Sequence, residues 1–139
     1  MELKVFNTHQ DGGKGGGTTI RTIAMNRKYR YLYFNAKVVR EHNLKKGDRV
    51  KIAQDVDSKN DWYVTFCSPE EDGCKLWQQK KFGTDSRSLI FYNKAAVNAL
   101  LDSIKATYSA TLIIAATPTE MPDGTKWYRV LTANPIRKD

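Results

Sequence analysis

The chain has little of what most enzymes, metalloproteins and membrane proteins are built from. Its 139 residues include only two histidines and two cysteines. His9 lies in a glycine-rich stretch, His42 lies in a polar segment, and neither Cys67 nor Cys74 has a histidine nearby in sequence. A metal site needs three or four convergent ligands at suitable spacing, so no metal, cofactor or catalytic set is expected and the chain reads as a non-enzyme. No apolar run approaches the roughly 18 to 20 residues of a membrane span. The opening Met1-Glu2-Leu3-Lys4-Val5-Phe6 lacks the apolar stretch of a secretory signal, so a cytoplasmic protein with no membrane partner is expected. Cys67 and Cys74 flank the acidic turn Ser68-Pro69-Glu70-Glu71-Asp72-Gly73, which would let two strand ends approach, yet free thiols fit a chain with no sign of export.

What is present is a soluble, β-leaning composition: 40% hydrophobic, 27% charged and 11% aromatic residues, the last favouring strands. Lysine and arginine number 23 against 15 acidic residues, a formal charge of +8. Such a balance draws a protein towards polyanions, of which nucleic acid is the commonest.

Along the chain, Leu3 to Phe6 is a short strand candidate, and residues 9–17 carry five glycines around Lys14, too free a backbone to hold a regular element. That stretch lacks the Gly-Lys-Ser/Thr ending of a phosphate-binding loop, so nucleotide hydrolysis gains no support. Thr18 to Ala24 and Tyr31 to Phe34 read as strands that form a hairpin through Arg27-Lys28-Tyr29-Arg30. Asn35 is an N-cap for a helix over Ala36 to Asn43, with Gly47 supplying the turn after it. Arg49 to Gln54 alternates charged and apolar residues as a half-buried strand does, and Asp61 to Cys67 is a further strand. The order is β-β-α-β-β.

That order recurs. Lys75 to Phe82 and Arg87 to Tyr92 are strand-like, Asn93 caps Lys94 to Ile104, and Thr107 to Ala116 and Lys126 to Thr132 close as strands. Collinear traces accompany the recurrence: Leu32-Tyr33-Phe34-Asn35 against Ile90-Phe91-Tyr92-Asn93, Val39 against Val97, and Asp61-Trp62-Tyr63 against Lys126-Trp127-Tyr128. The expectation is an α+β, β-dominated single domain over residues 1–139. Two pseudo-symmetric β-β-α-β-β halves, about 18–67 and 75–133, form one compact barrel-like or sheet domain. Halves related by a pseudo-two-fold axis achieve in one chain what a homodimer achieves with two; further homo-oligomerisation stays open.

The segment Tyr33 to Ile52, with Phe34 ending a strand, Arg40 in a short helix and then Leu44-Lys45-Lys46-Gly47-Asp48-Arg49-Val50, resembles the swapped-hairpin DNA-binding domains of the AbrB and antitoxin type. The resemblance covers about a seventh of the chain. It implies interleaved hairpins that grip DNA through basic side chains, here Arg21, Arg27, Lys28, Arg30 and Arg49. A different cut takes the strands from Arg49 to Tyr92 and the helix Asn93 to Ile104 as one β-β-β-β-α unit, similar to the Whirly-type binders of single-stranded DNA.

Single-strand binding asks for a basic groove with aromatic faces on which bases stack. Trp77 beside Lys75, Lys80 and Lys81, and Tyr29, Tyr31 and Tyr33 among arginines, are the aromatics so placed. Alternation assigns Tyr31, Tyr33, Trp62 and Val64 to a core, whereas Trp77 lies among glutamines and lysines on a polar strand. The expected nucleic-acid contacts are thus Lys14, Arg21, Arg27, Lys28, Arg30, Arg49, Lys51, Lys75, Trp77, Lys80 and Lys81. The expected role is DNA binding of a regulatory or architectural kind, with few base contacts. The alternatives are a single-strand binder and a non-enzymatic interaction or assembly module whose sheet edges pair with partners.

Overall fold

The computed structural model describes residues 20–81 and 84–139. The expected strand Leu3 to Phe6 and the glycine-rich stretch 9–17 lie outside the described residues. Strands β1 (Thr22–Asn26) and β2 (Tyr31–Phe34) lead into helix α1 (Ala36–Glu41), followed by β3 (Arg49–Gln54) and β4 (Trp62–Cys67). Then come β5 (Cys74–Lys75), β6 (Trp77–Lys81), β7 (Thr84–Tyr92), helix α2 (Lys94–Ser103), β8 (Ser109–Ile114), β9 (Thr119–Glu120), β10 (Lys126–Leu131) and β11 (Arg137–Lys138). The fold is β-dominated, as composition led one to expect.

The strands form one antiparallel sheet in the order β5-β3-β4-β10-β8-β1-β2-β7-β6, with β11 beside β8 and β9 beside β10. Its two ends are one stretch of chain, because β5 and β6 are separated only by Leu76. The Leu76 N–H donates to the Asp48 carbonyl (2.8 Å), and its carbonyl accepts from the Gly47 N–H (2.9 Å). The strand over 74–81 therefore lies against β3 at its start and against β7 beyond, and the sheet curls into a nearly closed barrel. The expected single strand Lys75 to Phe82 is thus split where it changes partner.

Alternation sorts the side chains. Ile23, Met25, Leu32, Phe34, Val50, Val64, Leu89, Phe91, Leu112 and Val130 point inward into a single buried cluster, each fully buried one contributing roughly 1.5–3 kcal/mol. Val38 of α1 and Val97, Leu100 and Leu101 of α2 join the same cluster, so both helices pack on the core side. Trp62 fixes the end of α2: its indole N–H is shared between the Lys59 carbonyl (3.1 Å) and Ser103 Oγ (3.2 Å).

Two asparagines start the helices in the same way. Asn35 Oδ1 accepts from the Val38 N–H (3.2 Å), and Asn93 Oδ1 from the Ala96 N–H (2.9 Å), each satisfying an orphan donor of a first helical turn. Each also ties its helix to a neighbouring strand or turn, the Asn35 N–H to the Thr22 carbonyl and the Asn93 N–H to the Arg30 carbonyl, both at 3.2 Å. The helices end at Glu41 and Ser103, a little short of the expected Asn43 and Ile104.

Of the expected first strand Thr18 to Ala24, Thr18 and Thr19 lie outside the described residues, and Ile20 and Arg21 precede the strand, which starts at Thr22. β1 runs on to Asn26, where the side chain accepts from the Tyr29 N–H (3.2 Å) and the carbonyl from the Arg30 N–H (2.9 Å), closing the turn over 27–30. Gly47 has φ +97° in the turn after α1, as its position suggested. Gly73 has φ +139°, and a Cβ there would come within 3.0 Å of the Val50 carbonyl oxygen, so only glycine lets the acidic turn lie against β3.

Candidate nucleic-acid interface

Because Leu32 and Phe34 fill the core, Tyr31 and Tyr33 must face the other way. The expectation that these tyrosines are core residues is therefore corrected: they are half-buried on the outer face, while Trp62 and Val64 do lie in the core. Register then aligns an outward row across six strands. Trp77 pairs with Ile90, Ile90 with Tyr33, Tyr33 with Ala24, Ala24 with Thr111, and Thr111 with Arg137. The next row runs from Tyr92 to Tyr31, Asn26 and Ser109.

These rows carry an aromatic belt. Tyr31 lies 5.9 Å from Tyr29, 5.9 Å from Tyr33 and 6.5 Å from Tyr92, measured between ring centroids. Tyr29, Tyr92 and Trp77 are 57%, 54% and 46% exposed, large for rings that a soluble chain would otherwise cover. Ile90 lies among them, 5% exposed and outside the central core cluster, as the floor of the belt. Burial and the neighbouring phenols raise the Tyr31 pKa, so that ring stays neutral. A pocket of about 200 Å³ adjoins the belt, between Tyr31 and Tyr33 on one side and Arg137 on the other.

Cations flank the belt at both ends. Lys75 Nζ stands 4.5 Å from the Trp77 ring centroid, and Lys28 Nζ 5.4 Å from that of Tyr29, both within cation–π reach. Asn93 Nδ2 contacts Cys74 Sγ at 3.4 Å, bringing the adjoining residues Tyr92 and Lys75 to the same end. Beyond Lys75, on β3, Arg49 pairs directly with Lys75, and Lys51 continues the outward row. Arg49 donates to the Gly73 carbonyl (3.2 Å), while its Nε is buried without a partner. Lys28 and Arg30 are exposed in the turn over 27–30.

The expected cations thus separate into two groups. Arg21 grips Glu41 through two nitrogens, and those bonds draw the Glu41 carboxyl down to about 2. Arg27 donates to Asn98 Oδ1 and Asp102 Oδ1 (both 2.9 Å) and to the carbonyls of Thr107 (2.8 Å) and Ala106 (3.3 Å). Both arginines fasten α-helices to the barrel. Lys28, Arg30, Lys51, Lys75 and Trp77 remain exposed on the outer surface, with Arg49 half-buried beside Lys75. Lys80 and Lys81 belong to β6, but their side chains lie outside the described residues, as does Lys14. Tyr92 and Arg137 were missed by sequence reasoning; strand parity carried from Tyr31 and Tyr33 to the repeated Ile90-Phe91-Tyr92 would have found the first.

The remaining chemistry-bearing groups do not converge. Cys67 and Cys74 are free. They pair with successive residues of β3 from opposite sides, Cys67 with Arg49 and Cys74 with Val50, so β3 lies between them and a disulfide is out of reach. His42 packs against Phe66 (4.5 Å) and Tyr128 (4.6 Å), and burial lowers its pKa. Among the described residues no three His, Cys, Asp or Glu side chains group to hold a metal, and no helix is long and apolar enough to cross a membrane. Comparison of the chain with protein-family models, with curated proteins and with solved structures finds no match.

Proposed function

We propose that the protein is a non-enzymatic binder of single-stranded nucleic acid in the cytoplasm, whose bases stack on Trp77, Tyr92, Tyr31 and Tyr29. The exposed belt between two groups of cations is the observation that carries this reading. Stacking on a protein ring is worth about 1–3 kcal/mol per base and tolerates any sequence, since every base has a π-face. Lys75, Arg49 and Lys51 at one end and Lys28 and Arg30 at the other would receive the phosphates. A duplex keeps its bases paired and inward, leaving such a belt nothing to stack on.

A second reading, double-stranded DNA binding by a swapped-hairpin domain in a regulatory or architectural role, is favoured by the strand exchange. β1 of the first half pairs with β8 of the second, and β5 of the second with β3 of the first. Equivalent strands also meet, β2 with β7 and β4 with β10. This reciprocity supports two β-β-α-β-β halves related by a pseudo-two-fold axis.

Fluorescence anisotropy decides between the readings: a labelled oligothymidylate and a labelled duplex are titrated with the full chain from about 50 to about 200 mM salt. Tighter binding of the single strand, weakening steeply with salt, is expected. Preference for the duplex selects the swapped-hairpin reading, and binding of neither at low salt overturns both.

A further inference from the structure

The geometry assigns a second site beyond the Lys51 end of the belt: the cleft between the β3–β4 turn and the β9–β10 hairpin binds an organic cation, of the ammonium or guanidinium class. The cleft holds about 310 Å³, with Tyr63 and Trp127 as its aromatic walls, Ala53 and Met121 as apolar lining, and Asp55 and Asp123 at its rim. Tyr63 and Trp127 project from neighbouring strands on the same outer face. Ala53, the register partner of Tyr63, is too small to fill the space before it.

Charge selects the occupant. The chain as a whole carries 23 basic and 15 acidic residues, yet this lining has two carboxylates and no lysine or arginine. Arg129, the register partner of Tyr63, is turned to Asp61 at 2.7 Å. A phosphate-bearing ligand is repelled there, so the cleft does not extend the nucleic-acid belt. Aromatic faces attract a cation through their negative π-surface, most strongly where water is partly excluded, and the two carboxylates supply the counter-charge.

The walls are set before any ligand arrives. Asp55 Oδ1 accepts from the Asp57 N–H (2.8 Å), and the Asp55 N–H donates to the Asp61 carbonyl (2.9 Å). The Thr125 hydroxyl donates to Asp123 Oδ1 (2.5 Å) and accepts from the Trp127 indole N–H (3.1 Å). That relay fixes the indole beside the carboxylate. The same threonine contacts hold the Asp123 carboxyl below the usual carboxylate range, so it is charged at neutral pH.

The test is a ¹H–¹⁵N NMR titration of the full chain with choline, with N-acetylarginine amide and with 3,3-dimethylbutan-1-ol, the neutral counterpart of choline. At least one of the two cations is expected to shift the Trp127 indole N–H resonance at millimolar concentration or below, with the neutral alcohol about tenfold weaker. The better cation identifies the class, methylated ammonium or guanidinium. The double variant Asp55→Asn/Asp123→Asn keeps the acceptor oxygens of both turns and should weaken cation binding by about tenfold. Equal binding of the neutral alcohol, or no Trp127 response to either cation, overturns the assignment, and the wild-type comparison stands even if the variant fails to fold.

Discussion

Arg49 and Lys75 face each other directly across β3 and β5 on the outer wall of the barrel, and among the described residues neither forms an ion pair. Like charges opposite one another destabilise a sheet, so a fold under no other demand would replace one of them. A polyanion laid over the pair reverses the sign of their effect.

Lys75→Thr is therefore expected to alter stability by no more than about 0.5 kcal/mol, relief of repulsion offsetting the lost ammonium–Trp77 contact. The slope of log affinity against log salt for a single strand should fall by about 0.7, one phosphate contact. Urea denaturation and salt-dependent anisotropy read the two effects separately, and an unchanged slope removes Lys75 from the interface.

Trp77→Ala should weaken single-strand binding by about 1–3 kcal/mol and also lower the thermal midpoint, because the ring is only 46% exposed and lies opposite Ile90. Trp77→Phe, which keeps a stacking face, should recover much of the affinity. A variant that binds like the wild type would show that the belt is not used.

Arg27→Ala should lower stability alone. Removing its guanidinium leaves the Ala106 and Thr107 carbonyls and Asn98 without their donor, at a cost of about 1–2 kcal/mol in urea denaturation, part of the lost contact with Asp102 being screened by solvent. The salt slope for a single strand should stay unchanged. A reduced slope in a folded variant would return Arg27 to the interface.

Acid should weaken the barrel partly through Glu41. Its carboxyl falls from an ordinary 4.5 to about 2 because Arg21, and then Lys37, bond the charged form. The folded chain thus holds fewer protons than the unfolded one between those values, and the pair's stabilisation is complete above pH 4.5 and lost as pH falls towards 2. The difference in urea midpoint between wild type and Glu41→Gln should be constant from pH 7 to about 5 and shrink below that. A difference independent of pH would mean that Arg21 holds Gln as well as Glu.

Much of this barrel was legible in the residues, because the cues were local. Asn35 and Asn93 cap helices, Gly47 turns the chain, and alternation in Arg49 to Gln54 sets β3. What escaped depends on partners distant in sequence. Tyr31 and Tyr33 alternate as core residues do, and only the burial of Leu32 and Phe34 decides which set goes inward. Arg21 and Arg27 read as free cations until the fold brings Glu41, Asn98 and Asp102 to them. The split at Leu76 has no local signal, since the strand breaks only where it exchanges β3 for β7. Lys28 and Arg30 are exposed because they lie in the turn between β1 and β2, and Lys75 because it stands on the opposite face from the buried Leu76 that follows it.

The continuity of β5 and β6 through Leu76 also bears on how another chain attaches. The pairing with β3 stops at Lys75, and beyond Leu76 the same stretch pairs with β7, so the two ends of the sheet meet over a short length only, and it is along unpaired N–H and C=O groups that strands recruit foreign strands. Leu76, fully buried and bonded to both Gly47 and Asp48, is accordingly the clasp that holds the two ends of the sheet together.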